Sequence, residues 1–327
     1  MARQKRSWER ALITGSSSGI GKAFATQLAA EGTDLVLVAR DRGRLEELAQ
    51  HCRTQHGVNV EVLVADLADQ EQVGVVQKRL VASPRIDLLV NNAGLGTFGT
   101  FRKLPLGGEL NEIDVNIRAV VSLAHAALTT MTQHGSGTVL NMSSTVGLQP
   151  FPGSATYAAT KAFVTSFSEA LHEEARGTGV RVTAVLPGAV RTEFQQRAGK
   201  ADEFAKLPSF MFATPEKVAQ HGLRAARRGR ALTVPGLSAK MQAAFFSAAH
   251  EIGRASLRRR YGQELHVAIA LIVEQPQSAT MAPGNVCHRG ESLDTGAARP
   301  SVIVGLFAIV AAPGQQAIRQ FSGRDGC

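Results

Sequence analysis

Ala11-Leu12-Ile13-Thr14-Gly15-Ser16-Ser17-Ser18-Gly19-Ile20-Gly21 joins a short apolar run to a glycine-rich turn and then to the start of a helical pattern. The run from Ala11 to Thr14 reads as a buried strand. Beyond the turn, Ile20, Phe24 and Leu28 recur at i, i+4 and i+8, which lays one apolar stripe along a helix. Glycines at 15, 19 and 21 allow a tight turn and a close approach to the backbone. Where a strand passes through such a turn into a helix, the unpaired N–H groups of the helix terminus are placed to hold a pyrophosphate. Taken alone, the stretch is either a nucleotide loop or an ordinary glycine turn, and other positions must decide.

Outward from it, β-rich runs alternate with helical patterns as far as about residue 235. The runs are Ala11 to Thr14, Asp34 to Ala39, Val58 to Ala65, Ile86 to Asn91, Gly137 to Met142, Val180 to Leu186 and Leu232 to Val234. Near-continuous apolar strands separated by amphipathic helices predict an α/β protein, with a doubly wound parallel sheet of about seven strands and helices on both faces. With 327 residues and 44% hydrophobic content, the chain is long enough for one large or two modest domains.

Lys and Arg number 36 against 27 Asp and Glu, a formal net charge of +9 that favours anionic ligands such as phosphates, lipid headgroups or a cofactor. The excess lies entirely in residues 1–261, because 262–327 carry four basic against five acidic residues. Cys52, Cys287 and Cys327 are far apart and lack any ligand spacing, which suits a reducing compartment and not structural zinc; no metal is expected. The charged start, Met1 to Arg10, is followed by no apolar segment of signal length, so a cytoplasmic protein is expected.

Two further positions carry chemistry. The second strand ends at Ala39-Arg40, where this layout meets the adenosine ribose. An acid there favours NAD; a guanidinium can grip a 2′-phosphate through paired charge-assisted hydrogen bonds, so NADP(H) is expected unless Arg40 is a solvated surface residue. Tyr157 and Lys161, four apart on the helical run Tyr157 to Arg176, share a face. To trade protons near neutrality, a tyrosine must fall about 3 units from ~10, roughly 4 kcal/mol. One cation at ~4 Å through an effective dielectric of ~20 supplies about that much.

In these motifs the chain resembles the short-chain dehydrogenase/reductase family over residues 10 to about 235. Thr14-Gly15-x-x-x-Gly19-x-Gly21 is similar to the family's nucleotide loop, Asp66 to its adenine-contacting acid, and Asn91-Asn92-Ala93-Gly94 to its strand-four motif. Asn116 falls at the family's helix asparagine, Ser144 precedes Tyr157 by the usual 13 residues where Ser143 is one position out, and Pro187-Gly188-x-x-x-Thr192 is similar to the nicotinamide-side motif. The resemblance implies a Rossmann-like fold. It also implies cofactor contacts from Gly15, Ser17, Ser18, Gly19, Ile20, Gly21, Arg40, Asp66, Leu67, Asn92, Ala93, Gly94, Tyr157, Lys161, Pro187, Gly188, Val190 and Thr192. For the chemistry it implies that Tyr157 protonates the carbonyl oxygen as hydride arrives and that Ser144 hydrogen-bonds that oxygen. Lys161 then lowers the Tyr157 pKa and contacts the nicotinamide ribose, and Asn116 holds a water that relays protons. The family's habit also implies a homodimer or homotetramer.

The expectation is therefore an NADPH-dependent reductase of a ketone, aldehyde or 3-oxoacyl group. The alternative is a non-catalytic NADP(H) sensor of the same fold, and a third reading is a membrane-surface protein. Between Thr192 and Thr214, Phe194, Phe204, Leu207, Phe210, Met211 and Phe212 suggest a lid (193–214) over an apolar carbonyl or alcohol substrate, with a core-packed helix or a dimer contact as the other option. The clusters Arg224, Arg227, Arg228, Arg230 and Arg254, Arg258, Arg259, Arg260 suit peripheral contact with anionic lipid or an acyl carrier, or are solvated helix ends; no nucleic-acid motif accompanies them and no nucleic acid is expected. The dehydrogenase-like domain is placed at 1–261, and 262–327 is an extension whose apolar run, Ser301 to Ala312, is too short to span a bilayer. A core strand, a docking segment and disorder all remain open for it.

Overall fold

The computed structural model describes residues 8–197, 212–236 and 239. The extension 262–327, the second arginine cluster and most of the suggested lid lie outside them. Seven strands, β1 (Arg10–Thr14), β2 (Asp34–Ala39), β3 (Val60–Val64), β4 (Leu88–Asn91), β5 (Gly137–Met142), β6 (Val180–Val185) and β7 (Leu232–Thr233), form one parallel sheet in the order 3-2-1-4-5-6-7. The helices between them are α1 (Gly19–Ala30), α2 (Arg42–His56), α3 (Gln70–Val81), α4 (Leu106–Ile113), α5 (Ala119–Gln133), α6 (Ala155–Glu174), α7 (Phe194–Arg197) and α8 (Pro215–Arg227). The α/β doubly wound architecture read from the sequence is the one observed.

Strand periodicity explains the two cores. Alternate residues of β1 and β2 point to opposite faces. Ala11, Ile13, Leu35 and Leu37 pack with Phe24 and Leu28 of α1, Leu45 of α2 and Leu223 of α8, whereas Leu12, Val36 and Val38 pack with Val76 of α3, Leu123 of α5 and Phe167 of α6. Phe24 is fully buried, beneath Gly222, where an added Cβ would stand 3.1 Å from its ring. Phe24→Ala is expected to lower stability by about 3–5 kcal/mol, read as a lower urea midpoint, because α1 and α8 cannot close over the void.

Strand β4 starts two residues later than the apolar pattern suggested. Asp87 turns its carboxylate to the backbone N–H groups of Glu9 and Arg10, 2.8 Å from each, and so anchors the start of β1 before β4 begins. The chain runs β1, β2, β3 to one side and then crosses back to β4 on the other side of β1, which opens a crevice at the carboxyl ends of β1 and β4. Among the described residues, no helix is long and apolar enough to cross a membrane.

Candidate active site

The crevice is a cleft of about 930 Å³. Of the catalytic and cofactor-contacting residues expected from the sequence, all but Gly21 and Asn116 line it.

At one end the glycine loop leaves no room for side chains. Gly15 and Gly19 have φ of 65° and 54°. A Cβ on Gly15 would meet Ala93 Cα at 2.9 Å, and one on Gly21, below the loop, would meet the Gly15 carbonyl oxygen at 2.2 Å. Thr14 and Asn92 lock the loop to β4: Thr14 Oγ1 accepts from the N–H groups of Asn92 and Ala93, and Asn92 Nδ2 donates to the carbonyls of Thr14 and Gly15. Asp41, Asp69 and Thr214 cap α2, α3 and α8 with side-chain acceptors, but no side chain caps α1 at Ser18 and no acid sits in its first turn. Ser18, Gly19 and Ile20, where α1 begins, line the cleft, so the helix terminus is placed to hold an anion there.

At the β2 edge Arg40 is 59% exposed and touches Asp66 only loosely, at 3.6 Å. The next acid, Asp41, is engaged as the α2 cap, accepting from Arg44 N at 3.1 Å. The guanidinium lines the cleft at this edge, beside Asp41 and Asp66.

Past β5 the two serines diverge. Ser143 Oγ lies 2.7 Å from both Lys161 O and Thr165 Oγ1 and is held into α6. Ser144 Oγ, at the N-cap of a short 3-10 turn, accepts from Val146 N at 3.3 Å, donates to Pro187 O at 3.4 Å, and acts on the Tyr157 phenol. Tyr157 and Lys161 stand one turn apart on α6, with Lys161 Nζ 5.6 Å from the Tyr157 ring centre and donating to Met142 O at 3.0 Å.

Their electrostatics depart from the expectation that the lysine drags the tyrosine down. Burial pushes the Tyr157 phenol above its ordinary value, against the Ser144 hydrogen bond, and the charge of Glu112 adds to the rise. Burial also pulls Lys161 down to about 8, with Glu112 working against the fall. Desolvation is the largest cause for both groups.

Asn116 sits behind the cleft, in a π-turn (Asp114–Arg118) between α4 and α5. Its Oδ1 accepts from Leu95 N, and its Nδ2 donates to Leu95 O and to Thr160 Oγ1. Both amide protons are taken, so the relay water that the resemblance implies has only acceptor atoms of Asn116 to bind.

The apolar part of the cleft is aromatic. Phe98, Tyr157 and Phe194 form a cluster with ring centres 5.5 to 6.4 Å apart, and Phe151 stands 37% exposed on the rim. Gly96 permits the closure, since a Cβ there would fall 2.5 Å from Phe194 Cζ. Of the suggested lid, its ends are described: Ala213 pairs with Val190, and the Arg191 guanidinium lies over the Phe212 ring at 4.8 Å. The interior, 198–211, is outside the described residues. Sequence reading missed Thr97, Phe98, Glu109 and Glu112, whose only signal was two glutamates three apart on a helix that otherwise exposes leucines.

A nucleotide crevice that ends beside a serine, a tyrosine and a lysine defines the class: an oxidoreductase working with a dinucleotide. The family follows from comparison. A model described as short chain dehydrogenase matches residues 9–203. Sulfoacetaldehyde reductase 2 of Chromohalobacter salexigens is 38% identical over 207 residues, 62% of this chain and 81% of that protein. Very-long-chain 3-oxoacyl-CoA reductase of Anas platyrhynchos is 34% identical over 210 residues, 63% of this chain and 65% of that enzyme, so the chain spans just under two thirds of its length. The solved structure of a short-chain dehydrogenase from Sphingobium yanoikuyae in complex with NADPH is similar with a TM-score of 0.67 and 35% identity, covering 84% of this chain and 99% of that one. The chain belongs to the short-chain dehydrogenase family.

Proposed function

We propose that this protein is an NADPH-dependent reductase of apolar ketones, aldehydes or 3-oxoacyl groups. The observation that carries the reading is the meeting of Ser144, Tyr157 and Lys161 in the same cleft as the glycine cradle. The cradle suits a dinucleotide because a side chain at Gly15 or Gly21 would fill it or clash with its walls. In this reading the α1 amides and Ser17, Ser18 and Thr192 hold the pyrophosphate, Asp66 and Leu67 border the adenine, and Pro187, Gly188 and Val190 flank the nicotinamide. NADPH, when bound, supplies a hydride to the carbonyl carbon.

The chain's own residues manage the oxygen. Ser144 Oγ and the Tyr157 hydroxyl both donate to the carbonyl oxygen, and Tyr157 gives up its proton as negative charge develops there. A phenol held in its acid form by burial is in the right state for reduction. Lys161, positively charged below about 8, stabilises the phenolate that remains. Phe98, Phe151 and Phe194 exclude water and favour an apolar substrate flank. Exposed Leu106 and Phe163 offer apolar surface for the homodimer or homotetramer that belongs to the same reading.

NADPH consumption followed by absorbance over a carbonyl panel tests the proposal. Aryl and long-chain ketones or 3-oxoacyl thioesters are expected to turn over best; a preference for short anionic aldehydes would overturn the apolar assignment. Arg40→Ala is expected to weaken NADPH binding by about 10- to 100-fold and leave NADH nearly unchanged, the loss of one charge-assisted phosphate contact, read from two fluorescence titrations.

A further inference from the structure

Glu112 is fully buried and its Oε1 has no hydrogen-bond partner, although Oε2 accepts from both Thr97 N, at 2.8 Å, and Thr97 Oγ1, at 2.7 Å. It stands four residues before Asn116, which clasps Leu95 by both backbone groups. Four helical residues rise about 6 Å and two extended residues about 6.6 Å, so the two side chains match Leu95 and Thr97 as successive rungs. Thr97 O accepts from Ser154 Oγ, which carries the clasp on to the start of α6. The segment so held, 94–98, is one wall of the cleft.

The clasp alone does not need a charge. A glutamine oxygen would accept from Thr97 equally well, and a buried carboxylate with an orphan oxygen is costly. The charge has a use at Lys161. That ammonium donates to Met142 O, and among the described residues no carboxylate lies within ion-pair distance of it. Asn116 Oδ1 and Lys161 Nζ lie on the same side of Gly94, 3.3 and 3.4 Å from where its Cβ would be, so the ammonium neighbours Asn116, which follows Glu112 by four residues. The charged groups whose fields reach Glu112 are Glu109 on its own helix, and Lys161 with the Tyr157 phenol on α6. Glu109 is itself nearly buried, held by Thr156 through one oxygen and orphaned at the other.

Resting on the reading of the site above, we infer that Glu112 is a positioning residue with two tasks: it pins the cleft wall at Thr97 and it is the buried counter-charge that keeps Lys161 protonated. Burial drives Glu112 towards its neutral form, helped by Glu109, while the two Thr97 donors and Lys161 hold it ionised. Without it, Lys161 loses its proton at lower pH.

The test needs neither cofactor nor substrate, so its failure is separate from a failure to find turnover. Trace acetic anhydride labels neutral amines, and peptide mass spectrometry across a pH series gives the midpoint for Lys161 in the full chain. In the unaltered protein the midpoint is expected near 8. Glu112→Gln is expected to lower it by about one pH unit, the order set by removing one charge within ~10 Å through an effective dielectric of ~20. Glu112→Met removes the same charge with an apolar side chain of similar length, and serves if the glutamine variant does not fold. Thr97→Val keeps the carboxylate and removes one of its two donors; it is expected to move the midpoint by clearly less than the Glu112 variants do and, in turnover assays, to raise KM more than it lowers kcat. A midpoint that stays put in the folded Glu112 variants, or one that moves equally in Thr97→Val, overturns the counter-charge assignment.

Discussion

Tyr157→Phe is expected to lower turnover by roughly 10³-fold while NADPH binding stays within about a factor of two of the parent. The substitution removes one oxygen and leaves the ring that packs on Phe98 and Phe194, so the cleft keeps its shape. What disappears is the proton donor and one of two hydrogen bonds to the developing alkoxide. Ser144 keeps its N-cap bond to Val146 N and still offers its hydroxyl, which is why residual rather than zero activity is expected. Steady-state kinetics with the best carbonyl from the panel, beside a fluorescence titration, read both quantities. A non-catalytic NADP(H) sensor would instead show no turnover in the parent and no biological change in the variant.

The second large effect is expected at Gly21→Ala. Its Cβ would stand 2.2 Å from Gly15 O, 2.6 Å from Asn92 Nδ2 and 2.8 Å from Gly15 C. Two of those atoms are backbone in the loop itself, so relief requires moving the loop that presents the α1 amides. Loss of NADPH binding by more than about 100-fold is expected, with a stability loss of several kcal/mol of the kind seen for overpacked sites. Gly74→Ala is the control: that glycine lies inside α3 with open space around it, and alanine there is expected to stabilise by about 0.5–1 kcal/mol. Urea unfolding and cofactor titration of the two variants separate a local steric requirement from a general intolerance of change.

The fold was legible because strand and helix periods are local. Each of the seven β-rich runs named as far as residue 235 became a strand, and a boundary moved where a side chain intervened, as when Asp87 anchored β1. The glycine loop, Ser144, Tyr157 and Lys161 were legible as spacing, since residues four apart on a helix share a face whatever surrounds them. Ionisation was not legible. Whether Lys161 lowers Tyr157 depends on how much water each loses, and that is set by Met142, Phe98 and Phe194, which come from other elements. Glu112 escaped for the same reason: nothing in Leu110-Asn111-Glu112 reveals that Thr97 will fold against it.

A dinucleotide site that prefers NADPH should reveal itself when the purified protein is titrated with NADPH and NADH and nicotinamide fluorescence is followed. Saturable binding of both cofactors is expected, with NADPH at least ~10-fold tighter through Arg40. Equal affinities would remove the role given to Arg40, and absence of binding to either would contradict the assignment of the cleft.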